Sequence, residues 1–520
     1  MFIRNKRMHR FSRRDFLKLS TLTSVGAVVS PWVRNFASPK LIERDSSTTN
    51  IIVILFDAMS ARHLSLYGYP RETTPNFIRF AQRATVYHAH YSAGNFTTPG
   101  TTSLLTGLYP WTHRAINGHG LMSRTLTRQN IFWAMKPERK RLALTRNLWA
   151  NYILSQFRSD IDIFLSPQSF SSVNGITGSW FHHDLLAGYR SFDDFLFDLQ
   201  QSPASLLFGT IQRLYFSAQV EALQAEYSGQ YPDGIPNVQA YPIYFRLEDA
   251  FDGVISVLNQ LQSPTFAYFH FFAPHEPFCP TTEFSSMFFD DYLPPEKPLH
   301  PLSIAKSSQA ELNSLRREYD EYIANVDNQF GRLLDTLEQS GLLDTSIVVV
   351  TADHGQLFER GEKYHYTPLM YDPVLRIPLM ISVPGRQSKV EIFSPTNSID
   401  VLPTLMHLSD QPIPDWCEGA LLPGLGGQDD PARATFSIEA KANYASEPLH
   451  IATIVMRKGP YKLIHYMGYG QGFDDVYELY NLEDDREELN DLYASETVVA
   501  SQMKTELLDA LDKANSLTQS

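Results

Sequence analysis

The apolar positions of the chain fall into two kinds of run. Ile51-Ile-Val-Ile-Leu-Phe56, Phe266-Ala-Tyr-Phe-His-Phe-Phe272 and Ile347-Val-Val-Val-Thr351 are short and nearly unbroken, the pattern of strands buried on both faces of a parallel sheet. Arg141-Leu-Ala-Leu-Thr145 reads as a further strand. Between Glu311 and Ser340 the apolar residues instead recur at three- and four-residue steps, through Leu312, Leu315, Tyr319, Ile323, Val326, Phe330, Leu334 and Leu337. That spacing predicts one long amphipathic helix, stopped by Gly341. Thr74-Pro75-Asn76 opens a shorter helix to about Ala84, and a last helix covers about Thr497 to Asn515. Strands alternating with helices predict an α/β fold, with a large, mainly parallel central sheet flanked by helices.

After about Gln411 the pattern changes. Pro412, Pro414, Pro423 and the Gly424–Gly427 region form a linker, and Leu449–Met456 with Tyr461–Met467 read as a hairpin around Lys458-Gly-Pro460. Residues 412–520 are therefore expected to form a small C-terminal α+β subdomain behind a main domain over 50–411. Residues 160–245 are aromatic-rich and broken by Gly and Pro, and are expected as helices and loops that cover one end of the sheet as a variable lid or insert. His182-His183, in that stretch, reads as a surface pair.

Several strands stop at residues of another character. Asp57 directly follows the first, Asp353-His354-Gly355 follows the run at 347–351, and Arg146-Asn147 follows the run at 141–145. Ligand sites in open α/β sheets lie off the carboxyl ends of strands, and an unpaired Asp there is costly unless it meets a cation. Asn95-Phe-Thr-Thr-Pro-Gly-Thr-Thr-Ser-Leu-Leu-Thr-Gly107 adds a hydroxyl pair ahead of a helix. Pro99 is expected at the first helical position, which puts Thr97 and Thr98 at or just before an N-terminus that favours anions. Asp57, Thr97, Asp353 and His354 together form a plausible shell for a single divalent cation, which would activate the Thr97 hydroxyl as a nucleophile.

Composition narrows the setting. The chain has 520 residues, and its two cysteines, Cys279 and Cys417, can make neither a metal cluster nor a disulfide framework. Residues 1–40 hold nine Lys/Arg and one acidic residue; the remainder has 35 basic against 56 acidic groups, a net charge of −21. So acidic a body argues against nucleic acid as a partner. Ser12-Arg-Arg-Asp-Phe-Leu-Lys18 precedes an uncharged stretch from Leu19 to Val33, too short to span a bilayer comfortably. This resembles a twin-arginine export signal over residues 1–40. It implies the twin-arginine export machinery as a partner, a periplasmic or extracellular location and no stable transmembrane anchor.

The motifs resemble, in order, those of the sulfatase family of the alkaline-phosphatase superfamily: Asn50 through Asp57, Tyr67-Gly68, Thr74-Pro-Asn76, Thr97-x-Pro99, Leu104-Leu-Thr-Gly107, His275-x-Pro277, Val350-Thr-Ala-Asp-His-Gly355, Asp400-x-x-Pro403-Thr404, Tyr461-Lys-Leu463 and Glu478-Leu-Tyr-Asn481. The resemblance implies an alkaline-phosphatase-like fold and one divalent metal ion (Ca, Mn or Zn) on Asp57, Thr97, Asp353 and His354. It also implies catalytic roles for Thr97, His275 and His365, with Lys363, Arg146 and Asn147 as substrate contacts. Ala273 replaces the acid that two-metal relatives would need, so one ion is expected. Three departures matter. Thr97 stands where true sulfatases carry the Cys or Ser converted to formylglycine, Thr101 stands in place of their arginine, and Ala58 replaces the second Asp of their first metal motif. The expected activity is thus hydrolysis of phosphodiesters or phosphonate esters by a threonine nucleophile. The alternatives are a sulfatase working without formylglycine, a phospho-group transferase, and a sulfatase-like pseudoenzyme that binds a glycan or lipid headgroup.

Overall fold

The structure, a computed structural model, describes residues 49–135, 139–173, 206–238, 243–262, 264–470 and 472–516. The export segment at 1–40, His182-His183 and much of the expected lid lie outside the described residues. Eight strands form the central sheet: β1 (Asn50–Phe56), β2 (Thr85–Tyr87), β3 (Lys140–Thr145), β4 (Ile163–Leu165), β5 (Thr265–Phe271), β6 (Ser346–Ala352), β7 (Leu379–Ser382) and β8 (Val390–Ile392). Their spatial order is β8-β2-β7-β6-β1-β5-β3-β4. β7 is antiparallel to β6 and β2, and the other pairings are parallel.

The helices of seven residues or more among the described residues are α1 (Pro75–Ala81), α2 (Thr97–Thr106), α3 (Leu148–Gln156), α4 (Leu206–Tyr227), α5 (Leu247–Leu258), α6 (Gln309–Gln339), α7 (Val401–Leu408) and α8 (Thr497–Ser516). Alternate residues of β1 serve two separate cores, because side chains of a strand alternate between faces. Ile52, Ile54 and Phe56 pack with α1, α5 and the Tyr319, Ile323, Val326, Phe330 and Leu334 stripe of α6. Ile51, Val53 and Leu55 pack with Leu104 and Leu105 of α2, Ile153 and Leu154 of α3, and Val401, Leu402 and Leu405 of α7. Helices on both faces are what a sheet without a polar side requires.

Two boundaries differ from the sequence expectation, each for a local reason. α1 ends at Ala81, not Ala84, because Gln82, Arg83 and Ala84 donate to carbonyls three residues back, tightening the last turn. The C-terminal hairpin starts at Ala452, not Leu449, because the backbone donors of His450 and Ile451 go to Asn443 Oδ1. That hairpin belongs to an antiparallel sheet of β9 (Thr435–Glu439), β10 (Ala452–Lys458), β11 (Tyr461–Met467) and β12 (Val476–Asn481). One face buries Ile454, Met456 and Leu463 against Met503, Leu507 and Leu511 of α8. The other buries Val455, Ile464 and Tyr466 against Leu357, Tyr371 and Val374. Cys279 and Cys417 are free thiols, and no helix among the described residues is long and apolar enough to cross a membrane.

Two histidines are sealed in neutral form. His113 Nδ1 accepts the Ala115 N–H (3.0 Å), so its other nitrogen donates to Ser103 Oγ (3.0 Å). Burial pushes the imidazoles of His113 and His90 down to about 3. An imidazole with a depressed folded pKa stabilises the fold above its unfolded value near 6.5, and that stability is lost as the pH falls toward 3. The unfolding free energy should therefore fall by about 1.4 kcal/mol per histidine for each pH unit across this window. His113→Gln should flatten the slope measured by urea titrations between pH 7 and 4.5, and an unchanged slope would contradict the assignment.

Candidate active site

Four neighbouring strands, β6, β1, β5 and β3, end at one edge, and each delivers a polar residue there. Phe56 is the register partner of Ala352, so the next residues, Asp57 and Asp353, stand side by side on adjacent parallel strands. His270 is the penultimate residue of β5, and Asn147 lies two residues beyond β3. Asp57, Asp353, His354 and His270 are all fully buried.

The first carboxylate is only partly satisfied. Asp57 Oδ2 accepts from Asn147 Nδ2 at 2.5 Å, whereas Oδ1 has no hydrogen-bond partner. Asp353 Oδ1 accepts from the backbone of Ala58 (3.2 Å) and of His354 (2.9 Å), and its Oδ2 has none. His354 Nε2 lies 3.4 Å from Asp57 Oδ1 and 3.7 Å from Asp353 Oδ2. His270 Nε2 lies 3.6 and 3.8 Å from the Oδ2 atoms of the same two acids. Burial pushes both carboxyls up. At Asp57 the imidazoles of His275, His270 and His354 more than offset this and hold it well below the ordinary range. At Asp353 the charge of Asp57 adds to burial and the carboxyl stays raised. Burial lowers His354, but the charges of Asp353 and Asp57 outweigh it and raise the imidazole.

The donor chemistry fits a cation. His354 Nδ1 lies 2.9 Å from the Gly355 carbonyl, which can only accept, so Nδ1 carries a proton and Nε2 is the nitrogen whose lone pair a cation would take in place of a second proton. That lone pair and the two orphaned carboxylate oxygens converge: ligand atoms of Asp57, Asp353 and His354 lie within 4.8 Å of one another. Acceptors with nothing to accept from are expensive when buried, and a divalent ion satisfies all three.

Thr97 sits beside this cluster. It is the first residue of α2, and Pro99 is therefore the third helical residue and not the first. All three positions lack an intrahelical N–H partner, so the proline still costs nothing. Thr97 Oγ1 receives a hydrogen bond from Asn147 Nδ2 at 3.0 Å and lies 3.4 Å from His354 Nε2. A donor aimed at this hydroxyl oxygen favours its deprotonated form. Gly100 lets α2 approach so closely: a Cβ there would run into the carbonyl of Asp353. Ala58 holds a left-handed conformation, φ 57°, with its N–H on Asp353 and its carbonyl accepting from Tyr319 Oη at 2.5 Å.

The other expected residues divide. His365 packs against His354, ring centroids 4.4 Å apart and tilted, and meets His275 edge-on at 4.8 Å. Burial and the neighbouring His354 and His275 hold it well below its ordinary value. Gln356 Nε2 donates to the Lys363 carbonyl (2.7 Å), which turns Gln356 Oε1 to His365 Nδ1 (2.7 Å) and leaves His365 Nε2 as an acceptor. His275 Nδ1 donates to the Glu276 carbonyl at 2.8 Å. Asn147 reaches both Asp57 and Thr97, and its Oδ1 also caps α3. Arg146 turns to other partners: Nη2 donates to the carbonyls of Ser169 (3.0 Å) and Phe170 (2.5 Å), and the guanidinium lies 4.7 Å from the Phe245 ring. The Lys363 ammonium pairs with Glu311 at 2.7 Å.

His270, Asn95 and Gln356 were not singled out by the sequence reading. A lone histidine near the carboxyl end of an apolar strand was the visible signal for His270. Asn95, whose Nδ2 donates to the carbonyls of His365 and Thr367 (2.7 Å each), gives no such signal.

The family profile described as Sulfatase matches residues 49–138 and 220–411. The chain belongs to the sulfatase family. A second profile, N-sulphoglucosamine sulphohydrolase, C-terminal, matches residues 361–515 of this sulfatase-family chain. Arylsulfatase K of Bos taurus is 27% identical over 213 residues, 39% of this chain and 37% of that protein. Choline-sulfatase of Rhizobium meliloti (strain 1021) is 28% identical over 241 residues, 42% of this chain and 44% of that one. The chain thus spans less than half the length of these two curated relatives. Ulvan-active sulfatase of Formosa agariphila is 24% identical over 423 residues, 80% of this chain and 73% of that protein. In fold the chain is similar to phosphonate monoester hydrolases of Agrobacterium radiobacter (TM-score 0.63, 18% identity, 90% of this chain and 96% of that one) and Silicibacter pomeroyi (TM-score 0.62, 20% identity, 90% and 96%).

The like-charged pair makes a test. Asp353→Asn keeps Oδ1 as an acceptor but removes one of two buried charges. In chelator the variant should be at least as stable as the parent, by up to about 1–3 kcal/mol. On adding Mn²⁺ or Zn²⁺ the parent should gain thermal stability and the variant should not. Equal gains in both proteins would remove Asp353 from the ligand set.

Proposed function

We propose that the protein is an exported, metal-dependent ester hydrolase in which Thr97 attacks phosphorus in phosphodiester or phosphonate esters. The observation that carries this reading is the set of buried acceptors, Asp57, Asp353 and His354, beside a threonine hydroxyl at a helix N-terminus. Asp57, Asp353, His354 and Thr97 would hold one divalent ion, Ca, Mn or Zn, and the imidazole in the donor set suits Zn better than Ca. Bound there, the ion would offset the charge of the two acids, draw charge from a non-bridging substrate oxygen and lower the pKa of the Thr97 hydroxyl.

The protein's own groups supply the rest. The N-terminus of α2 and the Asn147 amide hold negative charge at the attacking oxygen. Thr97 Oγ, its hydroxyl proton passed to solvent before attack, forms a bond to phosphorus as the bond to the leaving oxygen breaks, and His275 gives that oxygen its proton. His365 Nε2, kept neutral, accepts a hydrogen bond from a substrate or water hydroxyl. Water, or an acceptor alcohol, then cleaves the phosphothreonine. Threonine cannot be converted to formylglycine, so sulfate release by the hydrated aldehyde is closed to this chain.

Thr97→Ala should lower turnover of bis(p-nitrophenyl) phosphate on the order of 10³-fold or more, whereas Thr97→Ser should keep part of the activity. Chelator should abolish turnover in the parent. Efficient cleavage of p-nitrophenyl sulfate with no phosphodiester turnover would reverse the substrate assignment.

Export rests on Arg13-Arg14 and the weakly apolar run behind them. Replacing both with lysine should leave the precursor in the cytoplasm, as read by fractionation, and unchanged export would sink this part of the reading.

A further inference from the structure

A cavity of about 250 Å³ is lined by five cationic side chains, Arg62, Lys297, Arg316, Arg376 and Arg486, and by two carboxylates, Glu359 and Glu487. None of these residues belongs to the cluster around Thr97. Both acids are already engaged: Glu487 with Arg62 and, at 3.1 Å, with Lys297, and Glu359 with Lys297 at 2.7 Å. Three guanidinium groups are left over. Among the described residues, no carboxylate forms an ion pair with Arg316, Arg376 or Arg486.

Arg316 makes the imbalance costly. It is only 7% exposed, on the inner side of α6, and its hydrogen bonds go to the Phe358 carbonyl and the Asn313 side chain. Arg376 donates to the His88 carbonyl at 2.8 Å. Neutral carbonyls satisfy donors but not charge, and Glu359, whose charge reaches Arg316, is already shared with Lys297 and Arg360. The whole chain carries a net charge of −13, so this surplus is local and not a general property of the surface.

We infer that the cavity is a second anion site, built for a phosphate or sulfate group and independent of the reaction proposed at Thr97. Guanidinium forks match the paired oxygens of such groups. The group can arrive free in solution or on a lipid headgroup. The second source is raised by Leu293, which is 68% exposed and lies between the cavity-lining Tyr292 and Pro294.

The test uses the purified full chain and reads binding, not turnover, so it stands or falls apart from the Thr97 assignment. Inorganic phosphate and sulfate are titrated calorimetrically, and co-sedimentation compares phosphatidylglycerol with phosphatidylcholine vesicles. Arg486→Gln removes an exposed guanidinium and leaves the core untouched. It should weaken binding on the order of tenfold, the loss of one charge-assisted hydrogen bond, in a Thr97→Ala background as well. Arg316→Lys should weaken it too, because a point charge does not replace the fork. Binding of inorganic anions that Arg486→Gln weakens supports a free anion. Sedimentation with phosphatidylglycerol alone, lost in Arg486→Gln and reduced in Leu293→Ser, supports the headgroup. If neither probe binds, or if Arg486→Gln and Arg316→Lys bind both probes as the parent does, the inference is overturned.

Discussion

Asp57 and Asp353 stand side by side because Phe56 and Ala352 are register partners in adjacent parallel strands, and both are sealed from solvent. Two carboxylates at strand spacing, about 4.8 Å, repel one another strongly once water is gone. The surrounding residues answer that repulsion. His354 and His270 approach from two sides, Asn147 donates to Asp57, and the Ala58 and His354 amides donate to Asp353. Even so, one oxygen of each acid stays without a partner. Two such acceptors suit a cation, and the chemistry proposed for Thr97 rests on the placement of its hydroxyl against the same pair.

How much of this was legible in the sequence depends on which kind of order a residue obeys. Strand-terminal acids were readable, because β1 and β6 are nearly unbroken apolar runs and Asp57 and Asp353 are the first residues beyond them. The helix after Thr97 was readable as well, although Pro99 sits in its third position. The period of α6 gave its length to within two residues at each end. His270 was overlooked because a single polar residue inside a strand does not interrupt the apolar pattern, yet its place one register step before the strand end aims it at the acids. Arg146 and Asn147 show the opposite limit. They are adjacent in sequence, but one side chain bonds the carbonyls of Ser169 and Phe170 and the other bonds Asp57 and Thr97. Which of two neighbours past a strand end enters a site is set by tertiary packing.

The motifs downstream of the acids have a different part. Lys462, of the Tyr461-Lys-Leu463 motif, is fully buried and bonds Glu488 and, at 3.3 Å, Asp372. The Asp372 N–H in turn donates to Glu488 Oε2 at 2.8 Å. Asp400, of the Asp400-x-x-Pro403-Thr404 motif, holds Arg433 by two bonds of 2.6 and 2.8 Å and receives the Asn397 N–H. Such buried pairs contribute little net stability, but leaving one partner alone is costly, so they fix the relative placement of the segments that carry them.

That placement reaches Thr97. Ser437 Oγ, on β9, donates to the Ser92 carbonyl at 2.5 Å, and the Ile438 N–H donates to the Ala93 carbonyl at 2.8 Å. Ser92 Oγ then donates to the Asp353 carbonyl at 2.5 Å, and the Ala93 N–H reaches Ser398 Oγ. The backbone just ahead of Asn95 and Thr97 is thereby clamped between β9 on one side and Asp353 on the other. Asn95 extends the clamp to the loop that carries His365. A hydroxyl must be held to within a fraction of an ångström to attack in line, and a helix N-terminus after a loop is a poor anchor by itself. The antiparallel sheet late in the chain supplies the missing rigidity, through hydrogen bonds to the backbone and not through any residue that would face the substrate.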